Sequence, residues 1–298
     1  MAETRTNNLA IIAGGGQLPI EVAHAAQSVG HNVLVVGIAE EADLSNLDAG
    51  VSQTKVGWGQ FGALQQHLND HGTNKLVIIG SISRRPEYKD VKLDWGAVQL
   101  LPQLLTTLLA GGDSSVLDRV AKLFSDLGYD LIGAHEVAPS LVAEEGILAG
   151  PKPSETLKHD ALQAMRAAWT SGHLDMGQGA VATAGRVVAM EGAEGTDGLL
   201  ERVAAMRQAK RFSGSNRSGA LAKCTRPQQD LRLDMPTIGP RTVENAADAG
   251  LSAIVLEAGR VLLSQREETV ARCKARKISL LAKQRSEFIP QGREDEPA

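Results

Sequence analysis

At 298 residues, with 43% hydrophobic and 22% charged side chains, the chain is long enough for about two domains that each bury a core. A net charge of −4 and 3% aromatic residues exclude a globally basic, stacking-rich nucleic-acid binder, so any anionic ligand must be met by a local site. The longest apolar passage, residues 97–110 (AVQLLPQLLTTLLA), carries Gln99, Pro102 and Gln103 and is too short and polar to cross a bilayer. The opening MAETRTNN lacks a charged-then-apolar leader pattern, and Cys224 and Cys273 form no CxxC pair or disulfide framework, so a cytoplasmic protein is expected.

Residues 8–17 (NLAIIAGGGQ) place an apolar strand before three glycines, and residues 18–27 continue as a helix with Pro19 in its first turn. Gly14, Gly15 and Gly16 would let backbone amides approach a phosphate, but the spacing is not GxGxxG, so a purely structural turn is the alternative reading. Residues 31–38 form the next buried strand, 52–56 a weaker one, 59–71 a helix, and 75–80 (KLVIIG) a third strong strand. The loop after it holds Ser81, Arg84 and Arg85 where open α/β sheets bind ligands; a solvated basic loop is the bland alternative. Residues 97–110 read as a core helix or as part of an apolar groove, and residues 113–127 as a helix with Asp113 as its cap. A strand at 129–133 leads into His135 and Glu136, polar groups at a strand end.

Pro and Gly in residues 148–154 (LAGPKPS) mark the expected boundary, giving an N-terminal domain over 1–148, a linker at 149–154 and a C-terminal domain over 155–284. The second half reads as a helix from 154 or 155 to 171, strands at 175–181 and 186–191, and a helix begun by Thr196 or Asp197. A basic loop at 207–217 is expected to be exposed. A helix over 242–249, neighbouring strands at 253–257 and 260–263, and segments at 265–276 and 278–282 follow, with a disordered tail at 285–298. The fold class is α/β: a Rossmann-like parallel-sheet domain followed by a mixed α/β domain.

Residues 223–242 (KCTRPQQDLRLDMPTIGPRT) concentrate the chemistry. Lys223, Arg226, Arg232 and Arg241 are cationic donors suited to phosphate, while Asp230 and Asp234 offer the hard oxygens that magnesium takes. Three prolines, Pro227, Pro236 and Pro240, argue for an extended or looped path; in an extended path Asp230, Arg232 and Asp234 share one face. That grouping is either a salt-bridge cluster or half of a metal–phosphate site.

The passages IIAGGGQLP, GAHEV, DMGQGAV, EGTDGLL, LAKCTRPQQDLRLDMPTIG and AIVLEAGR occur in this order. Through them the chain resembles the LpxI family of UDP-2,3-diacylglucosamine pyrophosphatases over residues 8–282. The resemblance implies a cytoplasmic enzyme of lipid A synthesis, with peripheral contact at the inner membrane, that hydrolyses its substrate to UMP and 2,3-diacylglucosamine 1-phosphate by attack at the β-phosphorus. It also implies dependence on Mg2+, with Mn2+ or another divalent cation as alternatives, a site between the two domains, and a homodimer. Its partners would be the lipid-linked sugar nucleotide and, transiently, a membrane surface; no nucleic acid is expected. Asp234 matches the family's essential aspartate, for metal binding or water activation, with Asp197 and Asp230 as further metal ligands. Lys223 and Arg226 would screen phosphate oxygens, and Gly14, Gly15, Gly16, Ser81, Arg84, His135, Gln178, Thr196 and Thr237 would contact substrate. Ser81 and the Arg84-Arg85 pair depart from the family pattern.

Two other classes compete. A nucleotide-dependent oxidoreductase would explain the strand–GGG–helix start, but the second strand has no convincing acidic residue at its end, Glu40 being a weak substitute. A non-catalytic sugar-nucleotide sensor would bind the substrate without consuming it.

Overall fold

The computed structural model describes residues 7–82, 91–99, 113–212 and 217–289. Two compact units emerge: Met1–Ser140 with Asp230–Asp234, and Leu141–Gln229 with Met235–Ala298.

The first unit is built on a five-stranded parallel sheet in the order β3-β2-β1-β4-β5. Its strands are β1 (Asn8–Ala13), β2 (Asn32–Ile38), β3 (Ser52–Val56), β4 (Lys75–Ile79) and β5 (Asp130–Leu131). β1 and β2 read as continuous apolar runs because strands inside a parallel sheet are covered on both faces. The helices Leu18–Ser28, Phe61–His71 and Asp113–Asp126 supply crossovers; the second ends at Gly72, whose φ of 69° makes a left-handed cap. Ala10, Ile12, Leu34, Val36, Leu68, Leu76 and Phe124 form one core cluster, with Leu233 packed on it. The strand order is that of doubly wound α/β sheets, in which the order reverses between β1 and β4.

The second unit carries a six-stranded mixed sheet, β6-β13-β11-β9-β7-β8. The strands are β6 (Gly146–Ala149), β7 (Gly179–Thr183), β8 (Arg186–Met190), β9 (Ala220–Lys223), β11 (Ala253–Glu257) and β13 (Ser279–Lys283). β11 runs parallel to β9 and β13; β6, β7 and β8 pair antiparallel. The two-residue period assigns the faces. Ala180, Ala182, Ala220, Ala222 and Val255 meet Ala161, Ala164, Met165 and Trp169 of the helix Glu155–His173. Small residues on both surfaces allow that helix a close approach. On the other face Val181, Leu221, Ile254 and Leu280 pack with Leu199, Leu200, Val203, Val243 and Cys273 from the helices Gly195–Gln208, Pro240–Asp248 and Arg266–Ala275.

Several expectations change. Residues 148–154 are not a linker between the compact units, whose division falls at Ser140 and Leu141. Gly146–Ala149 is a sheet strand, and the Ser279 hydroxyl donates to the Pro151 carbonyl at 2.7 Å. Pro and Gly there serve a turn inside the second unit. Residues 285–289 are not part of a disordered tail: Arg285–Glu287 form a 3-10 turn and Phe288 is 1% exposed, because its apolar side chain joins the core beneath the helix Glu155–His173. The basic loop expected at 207–217 loses its first member. The Arg207 guanidinium donates to the carbonyls of Ala249 (2.9 Å) and Ser218 (2.8 Å) and lies over the Phe212 ring. The strand at 260–263 does not neighbour β11: β12 (Leu262–Leu263) pairs with β10 (Thr237–Ile238) in a separate two-stranded sheet. Of the passage 97–110, expected as a core helix or part of an apolar groove, residues 100–110 lie outside the described residues.

Candidate functional site

In the first unit the glycine run meets the end of β4. The Gly14 amide donates to the Ile79 carbonyl at 2.9 Å, and Gly15 and Ser81 exchange backbone hydrogen bonds of 2.7 and 2.9 Å. A Cβ on Gly14 would lie 2.6 Å from the Ser81 oxygen, and one on Gly80, whose φ is 110°, 2.7 Å from the Gly14 carbonyl carbon. Gly14 and Gly80 are therefore required for two chain segments to touch, and the Gly14 and Gly15 amides are bonded to protein. Gly16, with φ 92°, lies at the entry to the helix Leu18–Ser28. Arg84 falls outside the described residues. His135 opens the short helix Ala134–Val137, where Glu136 closes back on the Gly133 amide at 2.8 Å; the imidazole Nδ1 is buried without a hydrogen-bond partner.

Asp230–Asp234 forms a tight turn, not an extended segment: the Leu233 and Asp234 amides both donate to the Asp230 carbonyl, at 3.1 and 3.0 Å. The Asp230 carboxylate accepts from the Arg232 backbone amide at 3.0 Å and from its guanidinium at 2.6 to 3.1 Å. The shared hydrogen bonds hold the Asp230 carboxyl below the usual carboxylate range and raise the Arg232 guanidinium above its ordinary value. The bland reading of this pair, a salt bridge, is the one the geometry adopts. Asp234 closes the turn and is half-buried.

The second unit brings together residues far apart in sequence. Lys223, 3% exposed at the end of β9, donates from Nζ to the Thr196 hydroxyl at 2.7 Å and to Glu191 Oε2 at 3.1 Å. The Thr196 hydroxyl donates in turn to the same Glu191 oxygen at 3.1 Å. Nearby in sequence but separate in bonding, Asp197 accepts from Asn245 (2.8 Å) and pairs with Arg241 (2.5 Å). Arg226 pairs with Asp175 at 2.6 Å, and the Gln178 carbonyl accepts from the Cys224 amide at 2.9 Å. Thr237 sits half-buried in β10, its hydroxyl on the Met235 carbonyl at 3.2 Å.

A second buried cluster was missed by sequence reasoning. Glu257 is fully buried; one oxygen accepts from the Thr225 amide (2.9 Å) and hydroxyl (2.7 Å), and the other from Arg285 (2.7 Å), with Arg260 at 3.5 Å. It fixes the backbone directly after Lys223. Glu191 was missed as well. Both are carboxylates that close an apolar strand (RVVAME and AIVLE), a signal that the sequence carries. Cys224 is no nucleophile: burial, followed by the Glu257 charge, pushes its thiol far above neutrality, and burial pushes Cys273 up to about 12.

The donor set does not make a preformed metal cage. Among the described residues no group of three or more His, Cys, Asp or Glu side chains converges, and Asp197 and Asp230 are each committed to an arginine. Magnesium is commonly held by one or two carboxylates together with substrate phosphates, and Asp234 supplies oxygens of that kind.

The comparisons bear on the whole chain. A family model described as the LpxI N-terminal domain matches residues 8–141, and one described as the LpxI C-terminal domain matches residues 144–281. A protein of Caulobacter vibrioides named UDP-2,3-diacylglucosamine pyrophosphatase LpxI is 38% identical over 263 residues, which is 88% of this chain and 92% of that one. Among solved structures, the GalE-like L-threonine dehydrogenase of Cupriavidus necator is 11% identical, with a TM-score of 0.27 over 89% of this chain and 88% of its own. The Bordetella bronchiseptica enzyme WbmH in complex with NAD+ is 15% identical, with a TM-score of 0.25 over 38% of this chain and 35% of its own. Likenesses that weak carry no argument. No helix among the described residues is long and apolar enough to cross a membrane. The two family domains abut where the compact units divide, and the identity runs through both, so this chain belongs to the LpxI family.

Proposed function

We propose that this chain hydrolyses the pyrophosphate of UDP-2,3-diacylglucosamine to UMP and 2,3-diacylglucosamine 1-phosphate, as a step of lipid A synthesis. The observation that carries the reading is the 38% identity, over both domains, to a relative named for that activity. The pyrophosphate carries about two negative charges, so attack by water needs cationic and hydrogen-bonding groups around it. Lys223 and Arg226 supply such charge, and Lys223 is fixed by the Thr196 and Glu191 contacts. Asp234 supplies the carboxylate that orients water or holds a divalent cation, Mg2+ with Mn2+ as the alternative. When bound, that ion would screen the phosphate oxygens and stabilise the leaving phosphate. In the hydrolysis the water oxygen bonds to the β-phosphorus, the bridging oxygen departs with UMP, and the water proton passes to solvent. The lipid-linked substrate implies transient contact with a membrane surface by an otherwise cytoplasmic protein.

The test is UMP release from UDP-2,3-diacylglucosamine by the purified chain, with magnesium, with chelator, and with the Asp234→Ala variant. Expected are metal-dependent release, a loss of about 100-fold or more in the variant, and, in 18O-water, label in the lipid phosphate and none in UMP. A folded variant of near-normal rate would remove Asp234 from the reaction. Substrate bound but never consumed would favour the sensor, and saturable NAD binding the oxidoreductase.

A further inference from the structure

Glu191 is the residue that joins Lys223 and Thr196, which lie 27 positions apart, into one bonded triangle. Its Oε2 accepts from both, at 3.1 Å each, while Lys223 donates to Thr196 at 2.7 Å. The carboxylate is itself clamped. The Glu191 amide donates to the Gly179 carbonyl at 2.8 Å. A Cβ on Gly179 would stand 2.3 Å from Oε2, and one on Gly177 2.5 Å from the Glu191 carbonyl oxygen. Gly177 and Gly179 flank Gln178, so the GQG stretch is shaped around the Glu191 side chain and backbone. An ammonium as buried as that of Lys223 needs an opposite charge and full hydrogen bonding, and it has four rotatable bonds by which to wander. One carboxylate fixes both its position and that of the hydroxyl beside it.

We propose that Glu191 is a positioning residue for the hydrolysis, acting through Lys223 and Thr196 without touching substrate. The proposal rests on the pyrophosphatase reading given above. It separates from a purely structural role because a group that acts through Lys223 has nothing left to act on once Lys223 is gone.

The experiment measures kcat and KM for UMP release by the full chain, by Glu191→Gln, by Lys223→Met and by the double variant. Folding of each is checked by circular dichroism and thermal melting. Expected is a fall in kcat of about 10- to 100-fold for Glu191→Gln, with KM changed by no more than about threefold, and no further fall when Glu191→Gln is added to Lys223→Met. Should Glu191→Gln fail to fold, Gly179→Ala takes its place: it displaces the carboxylate without removing charge and is expected to lower kcat in the same way. A folded Glu191→Gln or Gly179→Ala variant with a kcat within about twofold of the parent would overturn the proposal, as would losses that multiply in the double variant. A parent chain that releases no UMP would instead end the pyrophosphatase reading, and this proposal with it; that outcome is distinct because it shows in the parent.

Discussion

At the scale of single residues, Glu257 and Asp230 are each held by an arginine, and each makes a measurable statement. Glu257 has no exposed surface and satisfies Thr225, Arg285 and Arg260 at once. Glu257→Ala would leave the buried Thr225 amide without its acceptor and the part-buried Arg285 without its counter-charge, so urea denaturation should show a loss of about 1–3 kcal/mol. Asp230 gives a pH signature. Its carboxyl is held below the ordinary value by the hydrogen bonds from Arg232, so the unfolded chain binds the proton more readily. That contribution is complete above the unfolded value near pH ~4 and is lost as pH falls through the lower folded value. Asp230→Asn should therefore flatten the acid limb of a stability–pH curve and leave the limb above pH ~5 unchanged in shape. The two thiols complete the set. With Cys224 and Cys273 both buried and shifted upward, native protein should not react with a thiol reagent at neutral pH, whereas protein in denaturant should expose two reactive thiols.

Elements inherit their boundaries from such contacts. The helix Pro240–Asp248 begins where Pro240 takes the first helical position, and Gly72 ends the helix Phe61–His71 in a left-handed turn; both signals are local and legible. The 3-10 turn Arg285–Glu287 has one local closure, the Gln284 amide donating to Glu287 at 3.0 Å, but its place in the fold is set by tertiary contacts. It forms because Phe288 and Ile289 are buried beside Trp169 and Met165 and because Arg285 reaches Glu257. Phe288→Ala should cost about 3 kcal/mol by denaturant unfolding, the range for a large aromatic removed from a core. The segment Asp230–Asp234 likewise takes the looped one of the two paths, extended or looped, that its prolines left open, and tightens into a turn. Prolines at 227 and 236 bracket it without determining what lies between them.

At the scale of the whole molecule, the chain folds as two units, and Asp230–Asp234 belongs with the first although all its sequence neighbours belong with the second. Leu233 is the apolar reason, since it packs on the cluster of Ile12, Leu34, Leu68 and Phe124. Leu233→Ala should lower the protection of amides in β1 and β4 against hydrogen exchange by about 1–2 kcal/mol and leave those of β9 and β11 unchanged. The outcome is read from one exchange experiment on the full chain. Because Asp234 lies in the same turn, its placement depends on the first unit's core, while Lys223 and Thr196 depend on the second unit's sheet.

By itself the sequence determined the alternation of strands and helices, the parallel first sheet, the glycine turn after β1 and the family motifs, because each rests on periodicity or on residues a few positions apart. Tertiary structure alone decided that Lys223 would find Glu191 and Thr196, that Glu257 would hold Thr225 and Arg285, and that residues 230–234 would leave their neighbours for the other unit. A buried charge takes the partner that strand order brings beside it. Here that order sets β9 between β7 and β11, a juxtaposition created by packing of strands that are not neighbours along the chain.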